Sequence, residues 1–152
     1  MATKTTTNTS DSGFSEDELA AMKQRAAELR AEKKGGGKKA DEADEAEACV
    51  EAITALPQPD RGLAEAIHRI VLEVAPGLDP KTWYGFPSYA RDDKVVVFYQ
   101  PASKFDTRYG TVGFNQDAAL DDGDLWATSF AVLSVTDEVE KTLRALVGKA
   151  AG

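Results

Sequence analysis

Few side chains in this chain could do chemistry, and their spacing sorts them quickly. His68 is the only imidazole and Cys49 the only thiol. One histidine cannot build a two-His-one-carboxylate iron site or a three-His zinc site within one chain. His68 lies on the flank of an apolar helical stripe, which predicts a partly exposed structural histidine rather than a general base. Cys49 falls on the apolar face of its helix and reads as a small buried hydrophobe. Alone, it forms no intrachain disulfide. The sequence holds no nucleophile elbow, phosphate-binding loop or dinucleotide fingerprint. The expectation is a protein that is not an enzyme.

Two other constellations remain. The run from Asn115 to Asp124 is rich in oxygen ligands. It fails as a calcium loop, because Gly123 at the sixth position puts Ala118 first and Leu120 third, where carboxylates are required. Asp117, Asp121, Asp122 and Asp124 are still close enough in sequence to hold a hard cation weakly; the bland alternative is turns and caps facing water. The acidic run Asp41, Glu42, Asp44, Glu45 and Glu47 reads the same way, as a solvated helix start. The second constellation is Trp83-Tyr84-Gly85-Phe86-Pro87-Ser88-Tyr89, read as part of a strand over 83–90. Proline has no donor, so Pro87 is expected at an edge or a bulge. Trp83, Tyr84, Phe86, Tyr89 and Trp126 are candidates for the aromatic wall of a ligand groove, with Lys104 and Arg108 as anion contacts at its mouth. Core packing of the same rings is the competing reading.

The elements that must position these residues follow from periodicity. Residues 1–13 are nearly all small and polar and read as a disordered leader. Ser15 and Glu18 form a capping box, with Phe14 and Leu19 as its hydrophobic staple. The helix over 14–34 carries only a thin stripe of Leu19, Met22, Ala26 and Leu29, with Lys33 and Lys34 at its end. It is read as an appended element on a glycine/lysine linker at 35–40, and the domain proper as 41–150. Ala46, Cys49, Val50, Ile53 and Leu56 mark a second helix, and Leu63, Ile67, Ile70, Val71 and Val74 a third opened by Asp60. Eleven of the twelve aromatics then fall between Trp83 and Phe130. Strands are predicted at 83–90, 94–99, 109–114 and 126–133, the first hairpin turn falling at Arg91-Asp92-Asp93. Thr136 caps a last helix with Val139, Leu143, Leu146 and Val147 on its buried face. The fold class is α+β, with helices packed on an antiparallel sheet of four or five strands.

Net charge narrows the partners. Eighteen basic residues against twenty-six acidic give −8, a field that repels phosphate backbones and anionic lipid. Neither nucleic acid nor a membrane is an expected partner. With no long apolar run and one cysteine, the expected compartment is the cytoplasm.

From about Val50 to Ala150 the chain resembles the YdhG-like group, the domain of unknown function 1801, which includes frataxin-like iron chaperones. The residues that carry this are Leu56-Pro57, Ile67-His68-Arg69-Ile70-Val71-Leu72-Glu73 before Ala75-Pro76, and the Trp83-Tyr84-Gly85-Phe86-Pro87-Ser88-Tyr89 segment. The strand Val95-Val96-Val97-Phe98-Tyr99 and the stretch from Leu120 to Phe130 extend it. The resemblance implies a compact α+β domain and weakly bound iron passed to an acceptor protein. Asp117, Asp121, Asp122 and Asp124 are then the first ligand candidates. Two other classes stand beside that one: a small-molecule binding module on the aromatic region, and an interaction module using the helix over 14–34.

Overall fold

The computed structural model describes residues 14–34 and 38–152, with side chains described at 14–30 and 42–152. The leader expected over 1–13, the glycine joint over 35–37 and the side chains of Lys33 and Lys34 lie outside the described residues. Helices α1 (Glu16–Lys34), α2 (Lys38–Thr54) and α3 (Asp60–Val74) precede strands β1 (Asp79–Trp83), β2 (Phe86–Arg91) and β3 (Lys94–Gln100). The one-turn helix α4 (Ala102–Phe105), strands β4 (Gly110–Phe114) and β5 (Ser129–Val132), and helix α5 (Asp137–Ala151) complete the chain. The five strands form one open antiparallel sheet in the order β1-β2-β3-β4-β5, so the fold is α+β.

The strand expected over 83–90 is two strands. Trp83 and Phe86 pair directly, and Tyr84 and Gly85 both have positive φ (53° and 80°). Two central residues of that kind make a tight hairpin turn whose twist matches the flanking strands. A tyrosine in the first position hides the turn, because asparagine, aspartate and glycine are its usual residues. Asp92 and Asp93, at φ 51° and 64°, make the second hairpin turn, where one was expected. β2 is an interior strand, yet Pro87 costs it no ladder bond. The β2–β3 ladder begins one residue later, at Ser88 opposite Phe98.

The main core lies between the sheet and α2, α3 and α5. Cys49, Ile53, Leu63, Ile67, Ile70 and Val71 meet Tyr89, Val97, Tyr99, Val112 and Phe114 there, and Leu143 and Val147 close it from α5. Val50, expected on the buried face of α2, is instead 48% exposed. The Thr136 cap is present, its Oγ1 accepting from Val139 N at 3.2 Å. So is the capping box, with Glu18 N donating to Ser15 Oγ at 3.2 Å and Ser15 N to Glu18 Oε2 at 3.3 Å. Asp60 does not cap its own helix. Pro59 occupies that position, and the buried Asp60 carboxylate accepts from Ser103 N at 2.9 Å, holding the start of α4 against α3. Tyr99 lies over Gly110, where an added Cβ would stand 2.6 Å from its hydroxyl oxygen.

Candidate functional site

Strand alternation sends Tyr89, Val97 and Tyr99 to the helix face and Phe86 and Phe98 to the other. The hairpin pairing puts Trp83 beside Phe86 on that second face. Their rings pack edge to face with centroids 5.8 Å apart, and Trp83 is 5.3 Å from Phe98. Phe86 is also 5.6 Å from Phe98, 6.0 Å from Phe105 of α4 and 6.3 Å from Tyr84 in the turn. These are favourable spacings for aromatic pairs, each adding about 0.5–1.5 kcal/mol beyond burial. The platform needs Gly113, since a Cβ there would stand 2.2 Å from Phe98 Cζ.

Helix α1 sits beside this platform, in contact with β1 and α4. Polar groups hold it. Gly85 N donates to Glu28 Oε1 at 3.2 Å, while Lys104 Nζ donates to Gly85 O at 2.8 Å and reaches Gln24 Oε1 at 3.4 Å. Burial lowers the Lys104 pKa, and the Glu28 carboxylate partly offsets that. The thin stripe of α1 is split: Met22 and Leu29 are 42% and 43% exposed, while Leu19 and Ala26 are half-buried. Among the described side chains of the helix, Ala21 is the fully buried hydrophobe. Gly85 is therefore the seat of α1. At φ +80° with a Cβ that would meet both Gln24 Oε1 and Lys104 Nζ at 2.2 Å, Gly85→Ala is expected to unseat the helix. Hydrogen exchange checks this: α1 amides should lose protection by roughly tenfold or more while β3 keeps its own. Unchanged α1 protection would show that Gly85 does not anchor it.

Next to Trp83 the platform opens into a groove of about 460 Å³. Trp83 and Val95 give it apolar surface, and Arg25, Lys94, Asp93 and Asp117 put both signs of charge along it, with Asn115 and Gln116 between. Arg25 Nη1 is 3.3 Å from Glu28 Oε2, so part of its charge is already engaged.

Of the residues expected to line a ligand groove, only Trp83 lines this one; Tyr84 and Phe86 pack in the platform beside it, and Lys104 is tied to Gly85 O. Tyr89 is buried on the opposite face. Arg108 stacks over the Tyr109 ring at 5.2 Å, and Trp126 lies in the connection between β4 and β5. Asp117, Asp121, Asp122 and Asp124 are all exposed, and only Asp117 of the four lines this groove. Among the described residues, no three His, Cys, Asp or Glu side chains are grouped so as to hold a metal ion. Sequence reasoning missed Phe98, Phe105, Arg25 and Glu28. Alternation along β3 was the available signal for Phe98; the other three depend on how α1 and α4 pack.

Behind the sheet, Tyr89 links the two side chains discarded as catalysts. Its hydroxyl is 2.9 Å from His68 Nδ1, and it lies near enough to the Cys49 thiol to bias its titration. Burial raises the Cys49 pKa from 9.0 to about 11 and lowers that of His68 from its ordinary 6.5. Both neutral forms are thus favoured by folding. A raised acid stabilises the fold fully below its unfolded value and loses that stability as pH rises through the folded one. Cys49 is therefore expected to withdraw about 2–3 kcal/mol between pH 9.0 and about 11. For His68 the sign reverses: its contribution is present above pH 6.5 and falls as the pH drops below that value. Urea unfolding of the native chain and of Cys49→Ala between pH 8 and 11.5 checks the first claim. The two curves should converge in slope if Cys49 is not responsible.

What the geometry defines is an α+β protein with a charged-rim aromatic groove beside a helix held by polar contacts. No protein-family model, curated protein or solved structure matches the chain. No helix among the described residues is long and apolar enough to cross a membrane.

Proposed function

We propose that the protein is a small-molecule binding module whose site is the groove between Trp83 and the rim residues Arg25, Lys94, Asp93 and Asp117. One observation carries this: the aromatic platform of Trp83, Tyr84, Phe86, Phe98 and Phe105 lies outside the main core, beside a helix attached through polar side chains. A helix serving only as a hydrophobic cover would turn Met22 and Leu29 inward; here both face solvent. The ligand chemistry follows from the rim. An aromatic ring fits against the Trp83 indole, and charges of both signs favour a zwitterion over a simple anion or cation.

The test uses L-tryptophan as the probe, with indole-3-acetate and tryptamine as its singly charged counterparts. Titration of the full chain by amide and indole NMR should give saturable shifts at Trp83, Val95 and Asp117, strongest for the zwitterion. Trp83→Leu should weaken binding by roughly three- to tenfold, the worth of one aromatic pair. Shifts elsewhere, or equal responses to all three probes, would remove the proposal.

A further inference from the structure

A second groove, on the opposite side of the molecule, runs between α2 and α3. It encloses about 480 Å³ and is lined by Val50, Ile53, Thr54, Glu65, His68, Arg69, Leu72 and Glu73. Its walls are mostly aliphatic. Val50 and Leu72 are 48% and 43% exposed, although both belong to helices whose other large hydrophobes are buried in the core. The polar group set among them is His68, and its ring is fixed from behind. Tyr89 is fully buried, its hydroxyl 2.9 Å from Nδ1, and the rings are tilted at 42° with centroids 5.7 Å apart. No described residue hydrogen-bonds Nε2.

The hydrogens of this pair follow from donor and acceptor strength. The phenol O–H of Tyr89 is a better donor than acceptor, and the imidazole nitrogen 2.9 Å away is a stronger acceptor than a neutral thiol sulfur. The Tyr89 hydrogen therefore goes to His68 Nδ1. That leaves the ring hydrogen on Nε2. The arrangement is a buried relay ending in one N–H among aliphatic walls. Every other charged group at the groove stands at its rim, where Glu73 pairs with Arg144 and Arg69 bridges to Glu73 and Glu140.

We infer that the α2–α3 groove is a second binding site, for an uncharged apolar molecule carrying one hydrogen-bond acceptor such as a ketone or ester carbonyl, with His68 Nε2–H as its donor. The walls of Val50, Ile53 and Leu72 take the hydrocarbon, as apolar pockets with one placed polar group generally do. A carboxylate would find no free counter-charge in Arg69, which is already engaged by Glu73 and Glu140. This site is independent of the groove at Trp83, which lies across the sheet.

Two probes of similar shape test it on the full chain: acetophenone, which has the acceptor, and ethylbenzene, which lacks it. Methyl NMR should show both probes shifting Val50, Ile53 and Leu72, while only acetophenone moves the His68 Nε2 resonance. In His68→Leu, which keeps the volume and leaves a half-exposed position apolar, the ratio of the two affinities should move toward ethylbenzene by about five- to tenfold, the worth of one hydrogen bond. An unchanged ratio overturns the inference. So does acetophenone binding that leaves Val50 and Leu72 unshifted in the native chain. Dispersed amide spectra of the variant separate lost recognition from lost folding.

Discussion

Replacing Phe86 with alanine is expected to lower the unfolding free energy by about 3–5 kcal/mol, the usual cost of deleting a buried aromatic ring. Phe86 is 5% exposed and its ring contacts those of Trp83, Tyr84, Phe98 and Phe105. No other ring joins the hairpin, the central strand and α4 in this way. Its loss leaves a void between the sheet and α4, which touch little otherwise, so little collapse can offset it. Urea unfolding measures the effect: the midpoint should fall by roughly 2 M for a slope near 1–3 kcal/mol/M. A loss below 1 kcal/mol would mean that the platform is a surface feature rather than a second packed cluster. Phe86→Leu separates folding from recognition. A similar volume should hold the cost under about 1.5 kcal/mol, while removing the edge-to-face partner of Trp83 should still weaken aromatic probes.

The second large effect lies behind the sheet. Tyr89→Ala is expected to cost about 3–5 kcal/mol through the ring alone. It also strips His68 Nδ1 of its hydrogen-bond partner. Leaving buried polar groups unmatched adds a further desolvation cost of about 1–3 kcal/mol. Tyr89→Phe isolates that second part: the ring stays, and stability should fall by only about 1–3 kcal/mol. The thiol reports the same geometry. Cys49 is fully buried and its pKa is pushed up to about 11, so the native chain should react with a disulfide reagent at pH 8 only as fast as it opens. In Tyr89→Ala the cavity should expose Sγ and speed the reaction many-fold. Equal stability of Tyr89→Phe and the native chain would show that the hydroxyl relay contributes nothing to the fold.

Much of the fold could be read from periodicity. Leu63, Ile67, Ile70 and Val71 recur at helical spacing because one stripe of α3 faces the core, and all four are buried. Val97 and Tyr99 alternate with Phe98 because they face the main core, while Phe98 faces the aromatic platform on the other side of the sheet. Residue spacing fails where conformation depends on partners across the chain. The hairpin at Tyr84-Gly85 is hidden by a tyrosine held at positive φ, a position it adopts only because the strands on either side pair. The one-turn helix α4 has too few residues to show a period, and its start is capped by Asp60, 43 residues earlier. The thin stripe on α1 suggests weak docking or a partner surface, and half of it, Leu19 and Ala26, is half-buried. The helix is seated by Gln24 and Glu28, whose partners at Gly85 and Lys104 no local pattern reveals. The candidate site inherits this division: Trp83, Tyr84, Phe86 and Lys104 were visible as residue types, whereas the rim that gives the groove its charge came only with the packing.

The most direct test of the binding claim is a search for intermolecular nuclear Overhauser effects between L-tryptophan and the full chain. The account predicts contacts from the probe's ring protons to the Trp83 indole and the Val95 methyls, lost in Trp83→Leu. Contacts confined to Leu125 and Trp126, the exposed hydrophobes of the β4–β5 connection, or saturation without any contact to Trp83, would contradict it.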